Sequence, residues 1–365
     1  MEKQAENIFC ENIHGDSLIQ LKDGRLLFYY FREGDNIYIY DSKSFRELFK
    51  IYLDKPKDDL EKENKSKDKE NRNKRYYYLN KNSIKELDNG IILIGSDNYL
   101  FELNENKKSY ECKIIKKMDD NILDINEISN KRLIIITDKK IMVLKKENLE
   151  YIIKDEYPIK DNWKIISKSS TRICFSDFNQ YFSSYVLPND KLLLNSFSTE
   201  ISYNGGCLTH PPFEFSNSKF IFIDLMNFEE ITSTKTFEID AKYMIFKNMI
   251  LIQAFKKVVI YDINSFKIIN NITLEKCYGY MYKYDEQYIL TLSKKEEKNT
   301  LGIYKIENND LKKYGKIKAN LSFEKMYHII FHPLKKYNDK FLLILKDKRI
   351  IITCHNKMYL LKLDI

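Results

Sequence analysis

The sequence predicts an all-β fold in which seven four-stranded antiparallel units stack radially around a common centre. Strand-sized apolar segments recur along the whole length of 365 residues, and many of them follow a short polar turn. The chain is also rich in aromatic residues that favour strands, with 27 Tyr and 22 Phe. Because the same order of turn and strands returns seven times, we expect one supersecondary unit repeated around a ring.

A tight polar turn and the strand after it form the most regular part of the repeat. The first turn contains Asp23-Gly24 and the second contains Asn89-Gly90. Both dipeptides tolerate the positive φ angles of hairpin turns. The apolar strand that follows is the second strand of each unit. Turn and second strand together occupy residues 22–28, 88–94, 129–135, 188–194, 247–252, 285–290 and 346–352.

A third and a fourth strand follow in most copies. The third strand is apolar and aromatic, whereas the fourth is more polar, as expected for the outer edge of a sheet. The seven third strands are predicted at residues 37–41, 99–102, 141–145, 220–224, 258–262, 301–305 and 358–362. Fourth strands are clearest at residues 45–53, 150–159 and 266–274.

The last copy has no fourth strand, because only three residues follow its third strand. An unpaired strand edge promotes aggregation. Residues 6–12 form an extra strand-like segment before the first unit. We therefore expect this N-terminal strand to close the last unit.

This pattern resembles the WD40-like class of seven-bladed β-propellers over nearly the whole chain. WD40 repeats end their third strand in Trp-Asp. The positions equivalent to Trp are here Tyr40, Phe101, Leu144, Ile223, Tyr261, Tyr304 and Leu361. The positions equivalent to Asp are Asp41, Glu102, Lys145, Asp224, Asp262, Lys305 and Lys362. The chain has one Trp and no Gly-His pair, so the resemblance implies a single seven-bladed propeller and no functional subfamily.

Four inserts exceed the repeat, and the strand order predicts that all four emerge on one face. Residues 54–75 carry nine basic and seven acidic side chains and almost nothing apolar, so we expect a disordered loop. Residues 160–182, 199–218 and 320–340 are rich in aromatic residues and together hold three of the six Pro, and we expect ordered inserts. Long ordered loops on a rigid scaffold often carry function.

The ordered inserts supply the candidate binding residues. Aromatic side chains beside Gly-Gly and Pro-Pro segments form preorganised surfaces for partners. The candidates are Trp163, Tyr181, Tyr203, Gly205, Gly206, His210 and His332. The alternative is that the inserts cover the mouth of the channel, with Trp163 and Tyr203 buried.

No catalytic, metal or cofactor motif stands out. Cys207 and His210 have a ligand-like spacing, but zinc needs three or four ligands. His328 and His332 lack the Glu of a metalloprotease pair, and Pro333 follows at once. We therefore predict no metal, no cofactor and no catalytic residue, and we favour a protein that is not an enzyme.

The net charge and the absence of targeting signals limit the classes of partner and the compartments that we expect. The net charge of +8 is spread over a chain with 61 basic and 53 acidic residues, which disfavours nucleic acid as the partner. No secretory signal and no membrane-length apolar run is present. We expect a cytoplasmic monomer that acts as a non-catalytic protein-interaction scaffold through the insert-bearing face. The alternative is a propeller enzyme or small-molecule binder that uses the central channel and the 199–218 loop.

Overall fold

The computed structural model of the chain is a ring of antiparallel sheets. It describes residues 8–10, 17–30, 36–53, 83–106, 109–148, 150–165, 175–188, 190–203, 213–237, 241–254, 256–274, 281–295, 298–318, 342–354 and 357–362. The strands in these residues form seven four-stranded sheets. The first strand, β1 (Ile8–Cys10), precedes six groups of four strands and a final group of three. The predicted all-β fold is confirmed.

The groups are numbered as sheets 1 to 7 in chain order. Sheet 1 contains β2 (Ser17–Gln20), β3 (Leu26–Tyr30), β4 (Asn36–Tyr40) and β5 (Glu47–Tyr52). Sheet 2 contains β6 (Ile84–Glu86), β7 (Ile92–Ser96), β8 (Tyr99–Glu105) and β9 (Tyr110–Lys117). Sheet 3 contains β10 (Ile122–Ile128), β11 (Arg132–Thr137), β12 (Lys140–Glu147) and β13 (Glu150–Pro158). Sheet 4 contains β14 (Phe175–Leu187), β15 (Lys191–Tyr203), β16 (Phe213–Asp224) and β17 (Glu229–Ser233).

The last three sheets complete the ring. Sheet 5 contains β18 (Ala241–Phe246), β19 (Met249–Ala254), β20 (Lys257–Asp262) and β21 (Ile268–Thr273). Sheet 6 contains β22 (Met281–Lys283), β23 (Tyr288–Lys295), β24 (Lys298–Glu307) and β25 (Asp310–Lys318). Sheet 7 is smaller and contains β26 (Leu342–Ile344), β27 (Arg349–Cys354), β28 (Lys357–Lys362) and β1.

β1 closes sheet 7, as the sequence predicted. It pairs antiparallel with β28, with Ile8 opposite Leu360 and Cys10 opposite Met358. The pairing covers the edge that β28 would otherwise expose, and it joins both ends of the chain in one sheet.

Neighbouring sheets share buried apolar clusters around the ring. One side chain from each sheet identifies the pairs: Ile351 and Phe28 for sheets 7 and 1, Leu27 and Phe101 for 1 and 2, Leu93 and Ile135 for 2 and 3, Val143 and Leu192 for 3 and 4, Phe222 and Ile252 for 4 and 5, and Leu251 and Ile289 for 5 and 6. Sheets 6 and 7 meet at their turns, where Lys348 Nζ lies 3.2 Å from Asp285 Oδ2. The stacked sheets therefore form a β-propeller.

The first strand of each sheet lies toward the centre of the ring and the fourth lies at the rim. β10 is buried along almost its whole length, whereas β9 and β21 carry many exposed residues. Residues on first strands are therefore placed around the centre, between neighbouring sheets.

The connections between first and second strands lie on one side of the ring, which we call the turn face. Gly24 and Gly90 adopt φ angles of +96° and +85° there, as their dipeptides predicted. Lys22 Nζ, in the turn of sheet 1, contacts Asp88 Oδ1 in the turn of sheet 2 at 2.6 Å. Connections between second and third strands, and between successive sheets, leave from the opposite side, which we call the insert face.

Acidic residues at the ends of three of the third strands shape the next turn. Asp262 Oδ1 accepts a hydrogen bond from the backbone N–H of Ser265 at 2.7 Å, and the turn ends at Phe266 with a φ of +55°. Equivalent turns at residues 41–45 and 224–228 also end in a Phe with positive φ. These positions match the Asp of the WD40 signature, and their carboxylates serve as turn caps.

Two predicted inserts contain regular strands. β14 takes up the second half of insert 160–182, and β15 and β16 extend into insert 199–218 from both sides. Aromatic and polar residues alternate along parts of these segments, a pattern typical of strands. The predicted inserts 54–75 and 320–340 lie outside the described residues.

Candidate interaction surface

Sheet 4 differs from its neighbours in the length of its first three strands. β14 and β15 have 13 residues each and β16 has 12, while β18, β19 and β20 of sheet 5 have 6 each. The strands stay paired to their ends, with Phe175 opposite Tyr203 and Ser202 opposite Phe213. We call these strand ends the β-arm, which comprises residues 175–181, 199–203 and 213–217. At about 3.3 Å per residue, the arm lengthens the sheet by roughly 20 Å on the insert face.

Two predicted binding residues, Tyr181 and Tyr203, belong to the β-arm. Tyr181 pairs with Phe197, and Tyr203 pairs with Phe175. Successive residues of a strand alternate between the two faces of a sheet, and directly opposed residues share a face. The register therefore places all four residues on one face of sheet 4.

Four other predicted binding residues are not described by the structure. Gly205, Gly206 and His210 belong to the connection between β15 and β16, and His332 belongs to the link between sheets 6 and 7. Their proposed binding role remains a prediction.

Trp163 is a core residue at the root of the β-arm. Its side chain is fully buried in the cluster between sheets 3 and 4, which also contains Phe182. Its Nε1–H donates to Glu230 Oε2 at 2.9 Å, and Lys160 Nζ lies 5.3 Å from the ring centroid. The ring therefore fixes the segment that links sheets 3 and 4, which corresponds to the buried alternative in the sequence analysis.

A buried polar network holds the base of β14 against sheet 3. Asp124, on the first strand of sheet 3, is 1% exposed. Its Oδ2 accepts hydrogen bonds from the backbone N–H of Ser184 at 2.5 Å and from the Ser184 hydroxyl at 2.6 Å. Asn126 Nδ2 donates to Ser184 Oγ at 2.8 Å, and Tyr243 of sheet 5 donates to the Ser184 carbonyl at 3.3 Å. The network thus joins the first strands of three successive sheets.

Burial dominates the electrostatics of this network. It raises the pKa of Asp124 to about 7, against the opposing effect of the hydrogen bonds from Ser184. Burial, together with the charge of Asp124, also raises the pKa of the Tyr243 hydroxyl and keeps it protonated. Because protein groups occupy both oxygens of Asp124, the arrangement acts as a clamp between sheets.

Two other kinds of feature are absent from the described residues. Within these ranges, no three His, Cys, Asp or Glu side chains come close enough to share a metal ion. No helix among them is long and apolar enough to cross a membrane.

Sequence reasoning missed Asp124, and it described the β-arm as ordered inserts without predicting its strands. Asp124 is a lone carboxylate in the apolar run Ile122-Leu123-Asp124-Ile125, a signal visible in the sequence. A bulge at this point shifts the register between Ile122 and Asp124, which only the strand pairing reveals. For the arm, the available signal was the continued spacing of aromatic residues at Phe175, Phe178 and Tyr181.

Comparison with known proteins identifies the fold class. No protein-family model and no curated protein matches the chain. The Dos1 propeller superposes with a TM-score of 0.53 at 8% identity, over 94% of this chain and 77% of that one. The Cps50 (Swd1) β-propeller domain from Myceliophteria thermophila gives 0.52 at 8% identity, over 98% and 100%. The extracellular domain of the hybrid two-component system BT4673 from B. thetaiotaomicron gives 0.53 at 11%, over 99% and 43%.

These comparisons agree with the ring of sheets described above, and the chain has a β-propeller fold. At such low identities the likeness concerns the fold alone. The function therefore has to be argued from the features of this chain.

Proposed function

We propose that this β-propeller is a non-catalytic scaffold that binds a protein partner on its insert face, with the β-arm as the main contact element. One observation carries the proposal: the first three strands of sheet 4 continue about 20 Å past the sheet core as a paired extension. A rigid ring with a projecting sheet presents a large preorganised surface, which suits recognition of another protein.

The packing at the root of the arm supports a rigid ring that carries the β-arm as its contact element. Trp163, Phe182 and Ser184 are buried at its base, so the ring holds the arm in a fixed position. The predicted binding residues Tyr181 and Tyr203 share one face of the arm. Aromatic residues on a fixed strand are favourable contact residues because little conformational entropy is lost on binding.

The buried polar network does not favour the alternative, an enzyme or small-molecule binder in the channel. A general acid or base must reach the proton that it transfers. Both oxygens of Asp124 already accept hydrogen bonds from the protein, at Ile125 and Ser184.

Removal of the β15 and β16 parts of the β-arm tests the proposal, and we call the product the arm-less variant. Ser198 lies directly opposite Asn217, so an Asn-Gly turn can replace residues 199–216 and keep the register of the remaining strands. The matched control replaces residues 54–75, a second predicted element of the insert face, with a short Gly/Ser linker. Complexes would be isolated from the native cell with each tagged variant and quantified by mass spectrometry.

We expect the intact chain and the control to recover the same stoichiometric partner, and the arm-less variant to lose it while its Tm stays close to that of the intact protein. Equal recovery by the arm-less variant would contradict the proposal. So would the absence of any stoichiometric partner of the intact chain.

A further inference from the structure

We infer that the outer edge of β16 in the β-arm binds an extended Lys- and Arg-rich segment of a partner protein as an added strand. This inference rests on the proposed function and names the chemistry of the partner. It combines the direction of the backbone groups at this edge with the charge of the arm.

The hydrogen bonds of β16 show which residues face its outer edge. Ser218 exchanges backbone hydrogen bonds with Phe237, at 2.9 Å and 2.8 Å. The Phe220 carbonyl likewise accepts from the Thr234 N–H at 2.9 Å. Backbone groups of Ser218 and Phe220 therefore point away from β15, toward the rim.

The same alternation extends toward the tip of the arm. Because N–H and C=O groups change direction at every residue, those of Glu214 and Ser216 also point outward. Strand β17 pairs with β16 only between residues 221 and 224. Among the described residues, no strand covers Glu214 and Ser216, so this edge can accept a further strand.

The charge of the arm indicates that the added strand of the partner is basic. The chain contains 61 Lys and Arg residues, about one in six, yet between Ile173 and Ser218 the single Lys or Arg is Lys191, near the turn face. The β-arm itself contains no Lys or Arg, and its charged residues are Asp177, Glu200 and Glu214. This part of a basic chain is therefore acidic.

The register distributes these acidic residues over both faces. Glu214 and Asp177 both pair with Ile201, from opposite sides, so they share one face. Glu200 pairs with Phe215 and occupies the other face. A strand added beside Glu214 would place one of its residues in the cross-strand position, where opposite charges attract.

The aromatic residues of the edge strand lie on the other face. Phe213 and Phe215 alternate with Glu214, so the apolar residues that alternate with Lys or Arg in an added strand would share the face of these two residues. Nucleic acids and anionic lipid surfaces are disfavoured at the arm, because their phosphates would be repelled by its carboxylates.

Peptide binding tests the inference. The probe is a fluorescein-labelled short peptide in which Lys alternates with Val, and the matched probe has Glu in place of Lys. Fluorescence anisotropy would be measured with the full chain at low and at moderate salt. We expect binding of the Lys peptide alone, with weaker binding at moderate salt.

Two variants at one position separate strand addition from charge attraction. Ser216→Pro removes an outward N–H while the bonds of its neighbours to β15 remain, and Ser216→Ala keeps the N–H. We expect at least about 3-fold weaker binding for Ser216→Pro and unchanged binding for Ser216→Ala. Glu214→Gln should weaken binding of the Lys peptide by about 2- to 5-fold.

Several outcomes would overturn the inference: binding of neither peptide, equal binding of both, or equal affinity of the two Ser216 variants. If Ser216→Pro fails to fold, hydrogen exchange on the intact chain replaces it, and slower exchange of the Glu214 and Ser216 amides with the Lys peptide is required. The proposed function fails separately, if the arm-less variant keeps its cellular partner.

Discussion

The β-arm and the root that carries it are held in different ways. At the root, Trp163 and Phe182 are buried between two sheets, and Asp124 clamps Ser184. In the arm, the described contacts are the backbone ladders from β14 to β16. The comparison shows how a propeller can extend one sheet without changing its core. Stability should depend on the root and recognition on the arm.

The largest expected effect comes from breaking the root at its aromatic centre. Trp163→Ala leaves a cavity between sheets 3 and 4 and removes the hydrogen bond to Glu230. We expect a loss of about 3–5 kcal/mol in the free energy of unfolding, measured by chemical denaturation. A loss below about 1 kcal/mol would show that the ring does not hold the root.

Asp124 should make the stability of the root depend on pH. Burial raises its pKa to about 7, above the ordinary value of 3.8. The folded state therefore holds a proton that the unfolded state has already lost, and the stabilisation falls as pH rises from about 4 to 7. Relative to Asp124→Asn, the intact protein should lose up to about 4 kcal/mol of unfolding free energy over this interval, at ~1.4 kcal/mol per pKa unit.

Asp262 provides the control for this experiment. The N–H of Ser265 lowers the pKa of Asp262, so its stabilisation is present at higher pH and is lost as pH falls. Relative to Asp262→Asn, the intact protein should gain stability with rising pH, opposite to the trend at Asp124. Equal pH profiles of the intact protein and Asp124→Asn would contradict the account of the root.

Deletion of the closing strand β1 should lower stability, in contrast to removal of the β-arm. β1 is short, like the paired ends of the arm, but it completes the ring. Deletion of residues 1–13 should cost about 2–4 kcal/mol, at ~0.5–1.5 kcal/mol for each lost ladder bond, and should promote aggregation. An unchanged Tm in the truncated protein would show that the pairing of β1 with β28 does not stabilise the ring.

The smallest effect on stability is expected in the arm. Tyr203→Ala should change the unfolding free energy by less than about 1 kcal/mol and weaken partner binding by about 1–3 kcal/mol. Tyr185→Ala is the matched control. This tyrosine lies on β14, outside the arm, and it is 43% exposed. Equal effects of the two variants on partner affinity would argue against a contact role for Tyr203.

The sequence predicted the ring better than the site, for physical reasons. Apolar strands after tight turns repeat strongly enough to locate the second and third strands of every sheet, and the closing strand followed from the exposed edge of β28. The strands of the arm were not predicted, because many of their residues are polar and no tight turn joins them. Asp124 was missed because its partner Ser184 lies 60 residues away, and such distant contacts are fixed only by the stacking of sheets.

Hydrogen exchange of the intact chain with its isolated cellular partner tests the central claim most directly. We expect slower exchange on binding in residues 199–203 and 213–217, with little change in the turns at residues 21–25 and 284–287 on the turn face. Protection confined to the turn face, with the β-arm unchanged, would contradict the assignment of recognition to the arm.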